Sequence, residues 1–139
     1  EDALKFYRDI GDRLGEANVL QEFGKLQPEP QAALEYLQSA QNLYTQIGSV
    51  YSQSRNLLFI ADVQLKMADS DAAINSLNNA IALASTINYA PLQESAQNRI
   101  AEINSASWKD RLKNLFEQRW LKLALCFLLG LITFLLLRR

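Results

Sequence analysis

The chain has 139 residues, of which 49% are hydrophobic and 21% are charged, with a formal net charge of −1 and no histidine. The lack of His excludes an imidazole general base near neutral pH, and the single cysteine, Cys126, excludes an internal disulfide and a cysteine zinc cluster. The five glycines form neither a P-loop nor a dinucleotide-binding fingerprint. We therefore expect a protein that is not an enzyme, with no catalytic residues, no metal and no cofactor.

The charge is distributed unevenly along the chain. Residues 1–107 contain seven Lys or Arg and thirteen Asp or Glu, a net charge of −6, whereas residues 108–122 contain five basic and two acidic residues, a net charge of +3. Nucleic-acid binding depends on a basic surface that neutralises phosphates, so the acidic body predicts no nucleic-acid partner. The basic segment lies beside an apolar one, which favours contact with anionic lipid headgroups.

A repeated pattern covers most of the acidic body. The segment Tyr7–Gly11 (YRDIG) recurs 37 residues later as Tyr44–Gly48 (YTQIG), and Leu83–Asn88 (LASTIN) takes the same place 40 residues after that. Self-similarity at such periods is typical of helical-repeat proteins. The same offsets align three alanines and three triplets: Ala3, Ala40 and Ala80, and Phe23-Gly24-Lys25 with Ile60-Ala61-Asp62 and Ile100-Ala101-Glu102.

Each unit is predicted to contain two helices. In chain order, residues 2–10 are the second helix of one unit, residues 14–48 form a complete unit, and residues 91–103 are the first helix of a last unit. In the middle unit, the turn Asp69–Ala72 supplies capping oxygens for the helix that follows it. Apolar residues then recur at spacings of three and four, which predicts one buried helical face: Ala73, Ile74, Leu77, Ala80, Ile81 and Ala84.

These residues resemble tetratricopeptide repeats, which are helix-turn-helix units with a large apolar residue, Leu-Gly, and later an Ala, a large apolar residue and another Ala. Ala61 stands where the family usually has Gly, and Leu57 where it usually has Trp. The linker Ile10–Ala17 is similar to that of the longer repeats found in bacterial regulatory and signalling arrays. The unit at residues 14–48 is three residues short at Gln27–Pro30, which predicts a tighter or irregular turn. The matching positions are Leu57, Ile60, Ala61, Ala73, Leu77 and Ala80.

The resemblance implies an all-α fold, a right-handed α-α superhelix of antiparallel helix pairs over residues 1–103. Family members bind extended peptides or partner helices on the concave face formed by the first helices, so a protein or peptide partner is expected here. Asn side chains suit this use because an amide bonds both the donor and the acceptor of a peptide backbone. The alternative is that the predicted binding positions are ordinary helix positions exposed to solvent. In the family register they are Asn18, Gln21, Lys25, Arg55, Leu58, Asp62, Ser95, Asn98 and Glu102.

Residues 108–120 are predicted to form an amphipathic helix, with apolar and aromatic residues on one face and charged residues opposite. Ser107 with Asp110 has the pattern of a capping box, so we expect a short break at residues 104–107 before this helix begins. The helix either lies at a membrane interface or caps the last repeat. The first interpretation assigns membrane-interface residues: Trp108, Lys109, Arg111, Lys113, Phe116, Arg119, Trp120 and Lys122.

Residues 121–137 are predicted to be a single transmembrane helix, a tail anchor followed by the basic tail 138–139. Leu123–Leu137 contains no charge, and its eight Leu, two Phe and one Ile favour bilayer insertion by about 5 kcal/mol together. Fifteen helical residues rise only about 22 Å against a hydrocarbon core of about 30 Å, so flanking side chains must extend the span. The alternatives are a buried helix of a larger assembly or a hairpin that dips into one leaflet.

The sequence thus predicts a membrane-anchored protein-interaction module whose body lies on the cytoplasmic side, since basic residues are more numerous before the span than after it. Self-association through the repeats is left open. The alternative function is the regulatory C-terminal part of a larger signalling or defence protein whose terminal helices oligomerise and perturb the membrane. The chain opens on Glu1 rather than Met, so we expect it to be a piece of a longer protein.

Overall fold

The computed structural model describes the backbone of residues 2–137 and the side chains of residues 2–109, 112–117 and 120. Throughout this part of the chain the regular structure is helical, which confirms the all-α class. Two compact units, Glu1–Ala101 and Glu102–Arg139, are described separately below. The helices are α1 (Asp2–Asp9), α2 (Arg13–Leu26), α3 (Pro30–Gln46), α4 (Val50–Lys66), α5 (Ser70–Thr86) and α6 (Ala90–Leu137).

The helix bounds recur with the offsets found in the sequence. Helices α1, α3 and α5 end at Asp9, Gln46 and Thr86, which are 37 and then 40 residues apart. The starts of α2, α4 and α6 are separated by the same intervals. Helices α2 and α3 pack together, as do α4 and α5, and α3 also packs against α4. The repeated sequence therefore corresponds to a repeated helix pair.

The three missing residues of the unit at 14–48 shorten a helix rather than a turn. Helix α2 has 14 residues and α4 has 17, while three residues join α2 to α3 and three join α4 to α5. The prediction of a tighter turn is therefore wrong. The prediction of an irregular one is confirmed, because Gln27 is extended, with φ −70° and ψ 127°, instead of ending the helix in the left-handed conformation.

The other helix ends in the first unit share one turn geometry. Gly48 has φ +69°, its N–H bonds the Thr45 carbonyl at 3.1 Å, and the next N–H bonds the Tyr44 carbonyl at 3.0 Å. This is a Schellman motif, which satisfies carbonyls at a helix end and favours glycine at the left-handed position. The same pair of bonds follows α1, α4 and α5, with Gly11, Ala68 and Asn88 at the left-handed position.

Side-chain caps begin two of the helices. Asp12 accepts a bond from the Gly15 N–H at 2.9 Å and so starts α2, and Asp69 accepts one from the Ala72 N–H at 2.9 Å and so starts α5. Each bond satisfies one of the N–H groups that the first turn of a helix leaves free. The capping role predicted for the turn at residues 69–72 is confirmed.

The core of the first unit lies between consecutive helices. Tyr44 and Leu43 of α3 pack with Ala17 and Leu20 of α2, and Leu37 belongs to a second cluster between α3 and α4. A further set of small residues lets the helices approach closely. At Gly24, an added Cβ would lie 2.6 Å from the Leu37 side chain and 3.0 Å from the Ala33 carbonyl. Ala61, its equivalent in α4, is 1% exposed, whereas Ala101 in α6 is exposed.

The second unit does not contain the predicted break. Helix α6 continues through residues 104–107, so the prediction that a capping box starts a new helix at Trp108 is wrong. No Gly or Pro occurs between residues 92 and 129, and Ser, Asn and Ala lower helix stability by less than about 0.7 kcal/mol each. Ser105 also bonds back to the Glu102 carbonyl at 2.9 Å, within the helix.

The predicted transmembrane helix at 121–137 and the basic tail at 138–139 lie outside the residues whose side chains are described. The backbone of 121–137 belongs to α6. Among the described residues, no helix combines the length and the apolar character needed to cross a membrane.

Candidate partner-binding surface

Helices α2, α4 and the first part of α6 lie side by side, although another helix separates each from the next along the chain. Gln21 of α2 bonds Arg55 and Asn56 of α4, and Arg99 of α6 bonds Asp62 of α4. Each of the three is the first helix of a repeated unit. We call the side chains that they expose between residues 18 and 99 the α2–α4–α6 surface.

Gln21 is the centre of a polar network beneath this surface. Its Nε2 donates to Asn56 Oδ1 at 3.1 Å, and its Oε1 accepts from Arg55 Nη2 at 2.7 Å. Asn56 Nδ2 donates in turn to the Leu37 carbonyl at 2.8 Å and to Gln41 Oε1 at 2.9 Å. Gln21 and Asn56 are fully buried. Because buried polar groups are costly when unpaired, this network fixes the relative positions of α2, α3 and α4.

A second set of polar contacts holds the start of α6 against α4. Arg99 Nη1 donates to Asp62 Oδ1 at 2.5 Å and to the Leu58 carbonyl at 3.2 Å. The two charged side chains are 32% and 44% exposed, so solvent screens the ion pair and its contribution to stability is modest. Its main consequence is geometric, because it links the first part of α6 to α4.

Two of the nine predicted binding residues are buried. Gln21 and Leu58 are 0% and 6% exposed, so the prediction that their side chains contact a partner is wrong. They occupy equivalent positions in α2 and α4, 37 residues apart. In α2 and α4 this position faces a neighbouring helix, and in α2 it carries the polar network, whereas its equivalent in α6, Asn98, is exposed.

The other seven predicted residues are at least partly exposed, and four of them already have partners. Arg55 bonds Gln21, Asp62 bonds Arg99, Lys25 bonds Glu22, and Asn18 Oδ1 accepts the Tyr44 hydroxyl at 2.8 Å. The amide of Asn18 keeps its two N–H donors for another molecule. Exposed or half-exposed are Asn18, Lys25, Arg55, Asp62, Ser95, Asn98 and Glu102, the last of which lies in the second unit.

The bond to Asn18 depends on a protonated phenol. Burial raises the pKa of Tyr44 above its ordinary value, while the nearby Arg55 lowers it and Glu22 raises it. The larger effect is desolvation, which disfavours the phenolate. Tyr44 therefore remains a hydrogen-bond donor at physiological pH and keeps Asn18 in a fixed orientation at the surface.

A groove opens in the α2–α4–α6 surface beside the α2–α3 turn. It encloses about 230 Å³, with apolar walls from Leu37, Val63 and Phe59 and a rim from Pro28. Gly24 forms part of its floor, where α2 and α3 approach too closely for a side chain. The short α2 thus leaves an apolar recess at its C-terminal end.

Two lysines and one aspartate line the same groove. Lys25 Nζ lies 5.0 Å from the centre of the Phe59 ring and bonds both carboxylate oxygens of Glu22, at 2.8 and 2.9 Å. Lys66 is exposed and makes no ion pair with any described side chain. Asp62 is the third charged lining residue. Asp62 is paired with Arg99 and Lys25 with Glu22, so Lys66 leaves the rim of the groove with a net positive charge.

Sequence reasoning did not identify Phe59, Lys66, Asn56 or Arg99. A signal was present for the first two, because Phe59, Asp62 and Lys66 follow one another at spacings of three and four and so share one face of α4. No comparable signal exists for Asn56 and Arg99. Asn56 and Arg99 bond Gln21 and Asp62, which lie 35 and 37 residues away in the sequence.

The predicted membrane-interface residues belong to the second unit. Trp108, Phe116 and Trp120 are 51%, 60% and 71% exposed, and Lys109 and Lys113 are also exposed. With Leu112 and Leu115, which are 41% and 57% exposed, these aromatic residues recur at spacings of three and four and form one exposed apolar face of α6. The side chains of Arg111, Arg119 and Lys122 lie outside the described residues.

Comparison with protein-family models, with curated proteins and with solved structures found no match to this chain.

Proposed function

We propose that this chain is an interaction module of the tetratricopeptide type, a right-handed superhelix that binds an extended peptide or a partner helix on the α2–α4–α6 surface. The observation that carries the proposal is the lateral arrangement of α2, α4 and α6, tied by Gln21–Arg55 and Asp62–Arg99. Every second helix of the chain becomes a neighbour of the next such helix when helix pairs stack in register. Repeat proteins build a continuous binding surface in this way.

The chemistry of the surface supports binding to a peptide. Asn18 and Asn98 present exposed amides on α2 and α6, and each amide can bond both groups of a peptide backbone. Lys25 adds a positive charge seven residues after Asn18 on α2. The bond from buried Tyr44 already fixes Asn18, so this side chain needs little ordering when a partner binds.

Site-specific photo-crosslinking tests this proposal. A photoreactive amino acid at Lys25 or Asn98 should capture partner proteins in cells, whereas one at Gln38 or Asn78, exposed on α3 and α5, should not. Partners identified in this way should bind the purified chain at least about tenfold more weakly when Asn18, Lys25 and Asn98 are all changed to Ala.

The matched control changes Gln38, Asn42 and Asn78 to Ala, which removes exposed amides from the helices outside the proposed surface. This variant should retain full affinity. Equal crosslinking from both sets of positions, or equal loss of affinity in both triple variants, would refute binding on the α2–α4–α6 surface.

We further propose that residues 108–137 hold the module at a membrane, with 108–120 at the headgroups and 121–137 as a single-pass span that leaves the body cytoplasmic. The exposed Trp108, Phe116 and Trp120 support the first part, because aromatic rings favour the interface and Lys109 and Lys113 are attracted to anionic lipid. In a bilayer the module would meet other membrane-bound partners at a raised effective concentration.

Flotation with liposomes tests the attachment. The chain should float with both neutral and anionic vesicles, and a version without residues 121–139 should float only with anionic ones. Leakage of an encapsulated dye upon oligomerisation would instead support the membrane-perturbing function. Failure of the full chain to float with either kind of vesicle would refute the anchor.

A further inference from the structure

The groove beside the α2–α3 turn has the size of one side chain. Its volume of about 230 Å³ is below the range of about 300–1,000 Å³ that encloses a small-molecule ligand. It is open to solvent on the α2–α4–α6 surface and closed beneath by Gly24 and Leu37. A peptide lying along the surface could therefore place one residue in it.

The walls of the groove select an apolar residue. Phe59 and Val63 of α4 face Leu37 of α3, and Pro28 closes the end nearest the turn. Burying an aliphatic side chain in such a site is favourable by about 25 cal/mol for each Å² removed from water. A polar side chain placed against Leu37, Phe59 and Val63 would lose its hydration without a matching partner from those three residues.

The rim of the groove selects negative charge. Lys66 has no carboxylate partner among the described side chains. The Lys25–Glu22 and Arg99–Asp62 pairs are both partly exposed, so each is weak and the excess positive charge at the rim comes from Lys66. Pro30, the first residue of α3, also lines the groove, but the acidic Glu29 at the start of this helix offsets its partial positive charge.

We infer that the groove binds an apolar side chain of an extended acidic peptide, whose flanking carboxylates contact Lys25 and Lys66. The inference rests on the proposed function and specifies its ligand. Residues 1–101 carry seven Lys or Arg and twelve Asp or Glu, a net charge of −5, so the first unit as a whole disfavours an acidic peptide and a local positive site is needed to select one. The same charge disfavours a second copy of this body as the occupant.

Titration with defined peptides tests the inference. The probe is a short peptide of alternating Glu and Ser with one central Leu, acetylated and amidated so that its termini carry no charge. It should bind the chain, and replacing Leu by Ser, or all Glu by Gln, should each weaken binding by about tenfold or more. Binding of the Glu peptide should also weaken as salt is added.

Two variants of the chain locate the site. Phe59→Ala removes one wall and should lower the affinity of the Glu–Leu peptide about tenfold, and Lys66→Gln removes the free charge and should lower it about threefold at low salt. Phe6→Ala, an exposed aromatic on α1, and Lys5→Gln, an exposed lysine on the same helix, are the matched controls and should bind as the unchanged chain does. Lys66 is exposed, so its substitution leaves the fold intact even if Phe59→Ala does not.

The outcomes separate this inference from the proposed function. Equal binding of the Glu and Gln versions of the peptide, or binding unaffected by Phe59→Ala and Lys66→Gln, would overturn the groove assignment and leave the wider surface to be judged by crosslinking. A complete absence of peptide binding would overturn the groove assignment as well. Crosslinks confined to Gln38 and Asn78 would overturn the proposed function itself.

Discussion

The two compact units use similar amphipathic helices in different ways. In the first, the large side chains of Leu37, Tyr44 and Leu77 are fully buried against neighbouring helices. In the described part of the second, Trp108 and Trp120 are 51% and 71% exposed. Both regions show apolar residues at spacings of three and four. The pattern therefore predicts a helix with an apolar face, but the neighbours decide whether protein covers that face.

A pair of leucine truncations gives the largest expected contrast between the units. Leu37→Ala should lower the free energy of unfolding by about 2–5 kcal/mol, because it opens a cavity in the α3–α4 cluster. Leu115→Ala, at a position that is 57% exposed, should change it by no more than about 0.5 kcal/mol in aqueous buffer. Urea denaturation followed by circular dichroism measures both. Equal losses would mean that the second unit has a core of its own around Leu115.

Substitution of one buried and one exposed asparagine should show the same difference between the two units. Asn56→Ala should cost about 1–3 kcal/mol, since it leaves the buried Nε2 donor of Gln21 without its partner and removes the bonds to the Leu37 carbonyl and to Gln41. Asn114→Ala, exposed on α6, should be neutral or slightly stabilising, because Ala has the higher helix propensity. Chemical denaturation compares the two. A neutral Asn56→Ala would show that the network does not fix the helix positions.

One substitution should have opposite signs in the two units. Ala68 has φ +60°, a conformation that costs a residue with a side chain about 1 kcal/mol, so Ala68→Gly should stabilise the first unit by about that amount. Ala106 lies within α6, where Gly is less stable than Ala by about 0.5–1 kcal/mol. Thermal melting and amide hydrogen exchange near each site measure the effects. Gly48→Ala, at φ +69°, is the reverse control and should destabilise.

The smallest expected effect concerns the burial of Tyr44, which should be detectable in how the free energy of unfolding depends on pH. Because the folded-state pKa of Tyr44 is raised, its stabilising contribution is complete below about pH 10 and is lost as the pH rises through the folded-state pKa. Tyr44→Phe should cost about 0.5–1 kcal/mol at neutral pH through the lost bond to Asn18, and it should reduce the alkaline loss of stability. Tyr51→Phe, at an exposed position, should leave the alkaline dependence unchanged. If Tyr44→Phe loses as much stability at alkaline pH as the unchanged chain does, a group other than Tyr44 causes that loss.

The helical class and the repeat register could be predicted because they depend on local signals. Gly11 and Gly48 mark helix ends, Asp69 caps α5, and apolar spacing defines each buried face. The break at 104–107 was predicted from a capping pattern alone, and the continuous helix shows that such a pattern does not act without a Gly, a Pro or a tertiary contact that ends the preceding helix.

The candidate site could be predicted only in part. The register placed Asn18, Lys25 and Asn98 on exposed positions of α2 and α6. It also placed Gln21 and Leu58 there, although both are buried, because a register derived from distant repeats does not define how far each helix is rotated against its neighbours.

The sequence by itself determined the helices, their ends and the interval between repeated units, since backbone propensity, capping and left-handed turns act over a few residues. Only the tertiary structure decided which polar side chains became buried partners, as for Gln21 and Asn56, and where a recess remained, as at Phe59. These features depend on close packing between residues more than thirty positions apart, and close packing is sensitive to shifts smaller than one side chain.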